Sequence, residues 1–237
     1  MGRAFEFRKS RKLKRWSAMS KAFTRIGKDI VLAVKENGPD PLNNSKLRAI
    51  IQNAKSVNMP KDNIDRAIKK ASDKNQKDLK KIVFEGFGPF GIAIVIETAT
   101  ENNTRTVANI RSYFNKYSGN LGISGSVVYL FDHNCFFQIN AADLNIEVLE
   151  LEFIDYGLEE IFSSDGHFFI YAPFESFGTI QAELESRNIE IKSSGFERIP
   201  KLTKNISQED SLVIEKLLSV IEEDDDVQHI YHDMRFN

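Results

Sequence analysis

The sequence is poor in cysteine, proline and tryptophan, with 1, 6 and 1 of these residues in a chain of 237. Its single cysteine, Cys135, cannot form an internal disulfide or supply a multi-cysteine metal site. The longest apolar runs, such as residues 92–96, are five residues long, whereas a membrane-spanning helix needs about 20. No apolar segment of the kind found in secretory signals follows the basic N-terminus. We therefore expect a cytoplasmic protein.

The sequence also lacks the usual signatures of an enzyme, such as a Walker loop, a catalytic triad or a zinc-protease helix. Gly86, Gly88 and Gly91 fit the dinucleotide pattern G-x-G-x-x-G, but an apolar strand follows them instead of a helix. We predict a turn between two strands at this point. His229 and His232 are three residues apart on a predicted strand, where odd spacing puts side chains on opposite faces. The sequence therefore predicts no catalytic residue, no cofactor and no metal site.

Positive charge is concentrated at the front of the chain, although the net charge of the whole is only −2. Residues 1–81 contain 22 Lys and Arg against 8 Asp and Glu, a net charge of +14. Residues 82–237 contain 10 Lys and Arg against 26 Asp and Glu, a net charge of −16. Such asymmetry favours a polyanionic partner such as nucleic acid. The alternative is that these charges only form a solvated surface.

Many of the basic side chains precede residue 29, and mutual repulsion favours an extended or fraying arm at the start of the chain. Lys and Arg bind nucleic acid by neutralising phosphates, which releases condensed counterions. The predicted nucleic-acid-binding residues are Arg3, Arg8, Lys9, Arg11, Lys12, Lys14, Arg15, Lys21, Arg25, Lys28, Arg66, Lys69 and Lys70.

Apolar residues at three- and four-residue spacing predict three helices in residues 1–81. Phe23, Ile26 and Ile30 mark the first, Leu47 and Ile50 mark the second, and a third follows residue 60. Short amphipathic helices with short connections are typical of a small bundle. We predict that residues 1–81 form a basic arm and a helical domain that ends in a polar linker at 72–81.

The rest of the chain alternates strand and helix patterns, so the predicted fold class is α+β and multidomain. Strands are predicted at 82–86, 91–98, 126–131, 134–139, 159–163, 167–172, 188–198 and 227–234. Helices are predicted at 103–117, 142–155, 174–187 and 208–222. Residues 132–134 give a hairpin signal, and residues 200–205 are expected to be a linker. The order β-α-β-β-α-β in 134–199 is the ferredoxin-like arrangement. Because a terminal helix and strand cannot bury themselves alone, we predict a discontinuous domain, 82–133 plus 200–237, with 134–199 inserted into it.

Several motifs in this chain resemble hallmark segments of the YebC/PmpR family. They occur in the family's order at residues 58–70, 85–89, 103–107, 119–122, 125–127 and 225–228. Examples are Asn58-Met59-Pro60 and the later pair Asp225-Asp226. The resemblance covers essentially the whole chain. The N-terminus departs from the family pattern, because Trp16 lies later than the usual tryptophan.

The resemblance implies an N-terminal helical domain and two α+β domains, the last inserted into the middle one. It also implies a non-enzymatic regulator of gene expression that binds DNA in the cytoplasm. Some members act in translation instead, so the alternative is a ribosome-associated factor that binds rRNA through the same basic region. The charge pattern does not distinguish these targets, and it leaves the oligomeric state open.

Overall fold

The computed structural model describes residues 3–73, 78–142 and 144–236, and the side chains within these ranges from Ser20 to Arg235. Its first domain is built from three helices: α1 (Arg3–Asn37), α2 (Ser45–Ser56) and α3 (Lys61–Ala71). The prediction of an extended arm at the start of the chain is corrected by the structure, because helical backbone begins at Arg3. Residues 3–26 contain neither glycine nor proline and are rich in Lys, Arg and Ala, which have high helix propensity.

The helices of this domain enclose one apolar cluster. Ile30 and Ala33 of α1, Leu47 and Ala54 of α2 and Ile64 of α3 are all buried in it, as the apolar spacing predicted. Helix α1 ends where Gly38 adopts a left-handed φ of 86° and donates its N–H to the Val34 carbonyl at 2.8 Å. Helix α2 begins at Asn44, whose side chain accepts a hydrogen bond from the Leu47 N–H at 2.9 Å. Such caps satisfy backbone groups that a helix end leaves unpaired.

The remaining strands and helices form three sheets and their covering layers. In chain order the elements are β1 (Lys80–Phe87), β2 (Ala93–Thr100), α4 (Asn103–Lys116), β3 (Asn120–Leu121), β4 (Phe131–Asn140), α5 (Ile146–Phe153), β5 (Glu160–Ser164), β6 (His167–Pro173), α6 (Phe177–Ser186), β7 (Ile191–Pro200), β8 (Lys204–Ile206), α7 (Gln208–Glu223), β9 (Val227–His232) and β10 (Met234–Phe236). The sheet orders are β3-β1-β2-β9 for the middle domain, β5-β6-β4-β7 for the inserted domain and β10-β8 for a short parallel pair.

The inserted domain has the predicted β-α-β-β-α-β order, and its four strands form an antiparallel sheet. Leu149 and Phe153 of α5 and Ile180 and Leu184 of α6 pack into one buried cluster with this sheet. The α+β fold class is therefore confirmed, and α5 and α6 lie within the predicted helices at 142–155 and 174–187.

The end of the chain completes the middle domain. Strand β9 pairs antiparallel with β2, and Leu217 and Ile221 of α7 pack in one buried cluster with Ile94 and Ile96 of β2. The inserted domain thus interrupts the middle domain. The predicted boundaries at 81, 133 and 199 fall within the ranges of β1, β4 and β7 and stay predictions.

Three predictions about local structure are wrong. Residues 126–130 form a bend and a short 3-10 helix over Val128–Leu130, and the Glu85 carboxylate accepts hydrogen bonds from the N–H groups of Val127 and Val128. Residues 132–134 are not a hairpin but part of β4, where Asp132 is paired with Ile199 of β7. The expected linker at 200–205 includes the start of β8, which pairs with β10. In each case a partner distant in sequence overrides the local pattern.

The glycines of the dinucleotide-like pattern serve a packing role. A short 3-10 turn over Pro89–Gly91 joins β1 to β2, as predicted from the strand that follows. A Cβ at Gly86 would lie 2.6 Å from the Asn120 carbonyl oxygen, so only glycine lets β1 approach β3 this closely.

Candidate nucleic-acid interface

The predicted nucleic-acid-binding residues fall into three groups. The first seven, which precede residue 20, have their backbone in α1 and their side chains outside the described part of the chain: Arg3, Arg8, Lys9, Arg11, Lys12, Lys14 and Arg15. The helical backbone places positions 8, 11, 12 and 15 on one side of α1, since residues three and four apart are neighbours on a helix.

The second group lies where α1 meets the middle domain. Lys28 donates to the carbonyl oxygens of Asp225 at 2.7 Å and Ala99 at 2.9 Å, and to the Asp226 carboxylate at 3.2 Å. Arg25 donates to the Glu222 carbonyl at 3.1 Å. These contacts show Arg25 and Lys28 in a docking role, fixing α1 against the end of α7 and the start of β9. Lys21 is half-buried on the same helix.

The third group lies on the exposed side of α3. Lys69 and Lys70 are exposed, and Arg66 donates to the Asp62 carbonyl at 3.1 Å and to the Asn63 side chain. The same helix carries exposed carboxylates, so its surface charge is mixed. The largest concentration of cations in the domain therefore belongs to the front of α1.

A carboxylate cluster that the sequence did not predict holds the helical and middle domains together. Asp226 is only 5% exposed. It accepts hydrogen bonds from Arg105 at 2.6 Å, Thr106 at 2.9 Å and Thr100 at 3.1 Å, in addition to Lys28. Burial raises the pKa of Asp226, but hydrogen bonds from Arg105, Thr106 and Lys28 outweigh this and hold it below its usual value.

The acidic stretch at 222–226 therefore includes internal contacts and is not simply a solvated helix end. Asp224 accepts hydrogen bonds from the Tyr113 hydroxyl at 3.0 Å and the Asn109 amide at 3.1 Å. The sequence offered one signal for this cluster: residues 103–107 and 225–228 both belong to the family-like motifs. Nothing in their spacing showed that they meet.

All three domains meet at a second junction. Asn53 of α2 accepts a hydrogen bond from the Ser194 N–H of β7 at 3.0 Å. Glu97 of β2 pairs with Arg198 of β7 at 3.1 Å and with Lys81 of β1 at 3.2 Å. Asp29 of α1 lines the cavity at this junction. The basic helical domain is thus fixed to both acidic domains through specific contacts.

Burial at this junction raises the pKa of Asp29 to about 7, although Lys81 and Lys46 act in the opposite direction. A carboxyl with a raised pKa in the folded state destabilises the fold progressively as pH rises from about 4 to about 7. We expect Asp29→Asn to increase the free energy of unfolding by about 1–3 kcal/mol at pH 8 and to have little effect near pH 4. Urea unfolding of both proteins across this pH range measures the difference. Parallel stability curves would contradict the expectation.

No group of three His, Cys, Asp or Glu side chains in the described ranges is arranged to hold a metal ion. Cys135 is buried, and burial raises the pKa of its thiol to about 12. No helix within these same ranges is long and apolar enough to cross a membrane.

Two protein-family models match nearly all of the described residues. Residues 3–74 match the model of the TACO1/YebC protein N-terminal domain, and residues 79–234 match that of the TACO1/YebC second and third domain. The fold is also similar to the crystal structure of a conserved hypothetical protein from Aquifex aeolicus. The TM-score is 0.79 at 32% sequence identity, over 92% of this chain and 90% of that one.

Curated relatives are similar over nearly their full length. A probable transcriptional regulatory protein of Flavobacterium psychrophilum is 63% identical over 99% of this chain and 100% of its own length. A protein of the same name in Porphyromonas gingivalis is 52% identical over 99% of this chain and 98% of its own. These matches establish that the chain belongs to the TACO1/YebC family, which the sequence motifs had indicated under the name YebC/PmpR.

Proposed function

We propose that this protein is a non-enzymatic, cytoplasmic regulator of gene expression that binds nucleic acid through the front of α1. The observation that carries the proposal is the net charge of +14 on residues 1–81 against −16 on residues 82–237. Phosphate contacts of this kind position a protein on nucleic acid with little reading of sequence. The names of its relatives as transcriptional regulatory proteins support DNA as the target.

The contacts of the described cations refine which residues carry the binding. Arg25 and Lys28 already bond to acceptors of the middle domain, so we assign them to docking. The residues proposed to bind phosphate are the remaining members of the predicted set: Arg3, Arg8, Lys9, Arg11, Lys12, Lys14, Arg15 and Lys21 on α1, with Arg66, Lys69 and Lys70 on α3 as a secondary surface.

Charge reversal at Arg8, Lys9, Arg11, Lys12 and Lys14 tests the proposal. We expect weaker binding to DNA or RNA and a flatter dependence of log affinity on log salt. The slope should fall by about 0.7–0.9 for every phosphate that the variant no longer neutralises. The measurement is fluorescence anisotropy at several salt concentrations. Circular dichroism should show that the fold is retained.

A matched control reverses five exposed cations of the acidic domains: Arg111, Lys116, Lys201, Lys216 and Arg235. It makes the same change in net charge at a different place, so it should leave the salt slope nearly unchanged. Equal loss of affinity in both variants would mean that net charge alone controls binding, and it would remove the proposed site. Ultraviolet crosslinking followed by sequencing then separates promoter DNA from the alternative target, rRNA.

A further inference from the structure

A cavity of about 280 Å³ lies at the junction of the three domains. Its walls come from α1, α2, β1, β2, β4, α6, β7 and β9, so every domain contributes to it. The volume is near the lower end of the range for small-molecule pockets. Such a site exists only when the three domains are assembled.

Some polar groups on the cavity wall have hydrogen-bond partners within the protein, and others have none. Glu97 and Asn53 have partners within the protein. In contrast, both amide atoms of Gln228 and the hydroxyl of Ser194 are buried without a hydrogen-bond partner. These two residues are only 4% and 1% exposed. Buried polar groups in folded proteins almost always have partners, so this pair points to a ligand that supplies them.

Asp29 adds a third unmatched group to the same wall. No described residue donates a hydrogen bond to its carboxylate, which lines the cavity together with Gln228 and Ser194. N–H donors on a ligand would favour the ionised form of Asp29, which accepts hydrogen bonds only, whereas an amide and a hydroxyl both donate and accept. A complementary ligand therefore presents N–H donors to Asp29 and a mixture of donors and acceptors to the other two.

Another part of the wall is apolar and aromatic. Phe136, Phe177 and Phe196 line it together with Leu32 and Ile50, and the Phe177 and Phe196 rings lie 4.7 Å apart at an angle of 47°. Rings and aliphatic side chains of this kind pack against the faces of flat ligands.

The charges around the cavity disfavour an ionic ligand. Lys46 and Lys81 oppose a cation, and Glu97 and Glu197 oppose an anion. An uncharged planar molecule with polar edges satisfies all of these conditions. We propose that the junction cavity binds a purine base with a guanine-type edge, whose adjacent N–H groups bond to Asp29 while Gln228 and Ser194 bond to its remaining polar atoms. Such a base has two sources, a free nucleoside or an unstacked base of a bound strand.

Calorimetric titration of the full chain with guanosine, adenosine, cytidine and uridine tests this site. We expect saturable binding of guanosine, and at least about tenfold weaker binding of adenosine, which has a ring acceptor where guanosine has a donor. Absence of saturable guanosine binding at concentrations up to about 1 mM would overturn the proposal. Equal binding of all four nucleosides would overturn it as well.

Two glutamine variants separate recognition from folding. Gln228→Leu removes an unpartnered buried amide, so the free protein should fold normally while guanosine affinity falls at least about tenfold. Gln181→Leu is the matched control, because Gln181 is 1% exposed and also has an unpartnered amide oxygen but lies on α6 outside the cavity. Guanosine affinity should be unchanged in the control. The same loss in both variants would refute the assignment to the cavity.

Single-stranded oligonucleotides with and without guanine distinguish the two sources. If a strand supplies the base, a guanine-containing oligonucleotide competes with guanosine and Gln228→Leu weakens the binding of both. If the ligand is a free nucleoside, the two bind independently. Charge reversal on α1 should abolish only the oligonucleotide binding, so failure of the proposed nucleic-acid function would leave the guanosine result interpretable.

Discussion

Glu85→Gln is expected to lower the free energy of unfolding by about 3 kcal/mol or more. Glu85 is 4% exposed, and its two carboxylate oxygens accept three backbone N–H bonds, each 2.7 Å long, from Gly125, Val127 and Val128. A glutamine amide of the same size would turn an NH₂ group toward at least one of these donors. Loss of hydrogen bonds to a buried charged group costs about 1.5–3 kcal/mol each.

The same carboxylate makes stability depend on pH. Burial raises the pKa of Glu85, but the three backbone N–H groups outweigh it and hold the pKa below its ordinary value of 4.5. A carboxyl with a lowered pKa stabilises the fold above pH 4.5, and this contribution is lost as pH falls through the folded-state value. The difference in the free energy of unfolding between the wild type and Glu85→Gln should therefore be full at pH 7 and become smaller in acid.

Glu150→Gln provides the matched control, because Glu150 is exposed on α5. It should change stability by less than about 0.5 kcal/mol. Chemical denaturation at pH 7 and at acid pH measures both variants. Exposed residues of the loop between β3 and β4, such as Ile123 at 81% exposure, should also become susceptible to proteolysis in Glu85→Gln but not in Glu150→Gln. A variant as stable as the wild type would show that the loop is held by other contacts.

The sequence predicted those parts of the fold that depend on neighbouring residues. Apolar spacing indicates which side of a helix faces a core. It predicted that Ile30 and Ile64 face the inside of the helical domain, and both are buried there. The discontinuous middle domain also followed, since a helix and a strand at the end of a chain need a sheet to pack on. Local patterns of this kind were enough for the fold class.

Contacts between distant positions could not be predicted in the same way. Lys28 and Asp226 are 198 positions apart, and Glu85 lies 40 positions before Gly125. No local pattern encodes such a distance, so Lys28 resembled its cationic neighbours and Asp226 resembled a surface acid. The junction cavity was missed for the same reason, because its walls come from three domains.

Asp226→Asn is expected to lower the free energy of unfolding by about 1.5–3 kcal/mol, the range for losing a hydrogen bond to a charged group, because Asp226 is buried while its partner Arg105 is 56% exposed. Its carboxylate joins Lys28 of α1 to Thr100, Arg105 and Thr106 of the middle domain. An amide of equal size would direct its own donors at Arg105 or Lys28. Denaturant unfolding measures the loss. Asp225→Asn is the matched control, because Asp225 is exposed and only its backbone carbonyl receives a hydrogen bond from Lys28.

The same substitution should release α1 from the middle domain, and this distinguishes docking from a general loss of stability. Amide hydrogen exchange in residues 22–34 should become faster in Asp226→Asn than in Asp225→Asn. Because Lys28 and Asp226 act on each other, combining Lys28→Met with Asp226→Asn should cost less than the two single variants added together, by about 0.5–3 kcal/mol. Strict additivity would mean that the two side chains are independent.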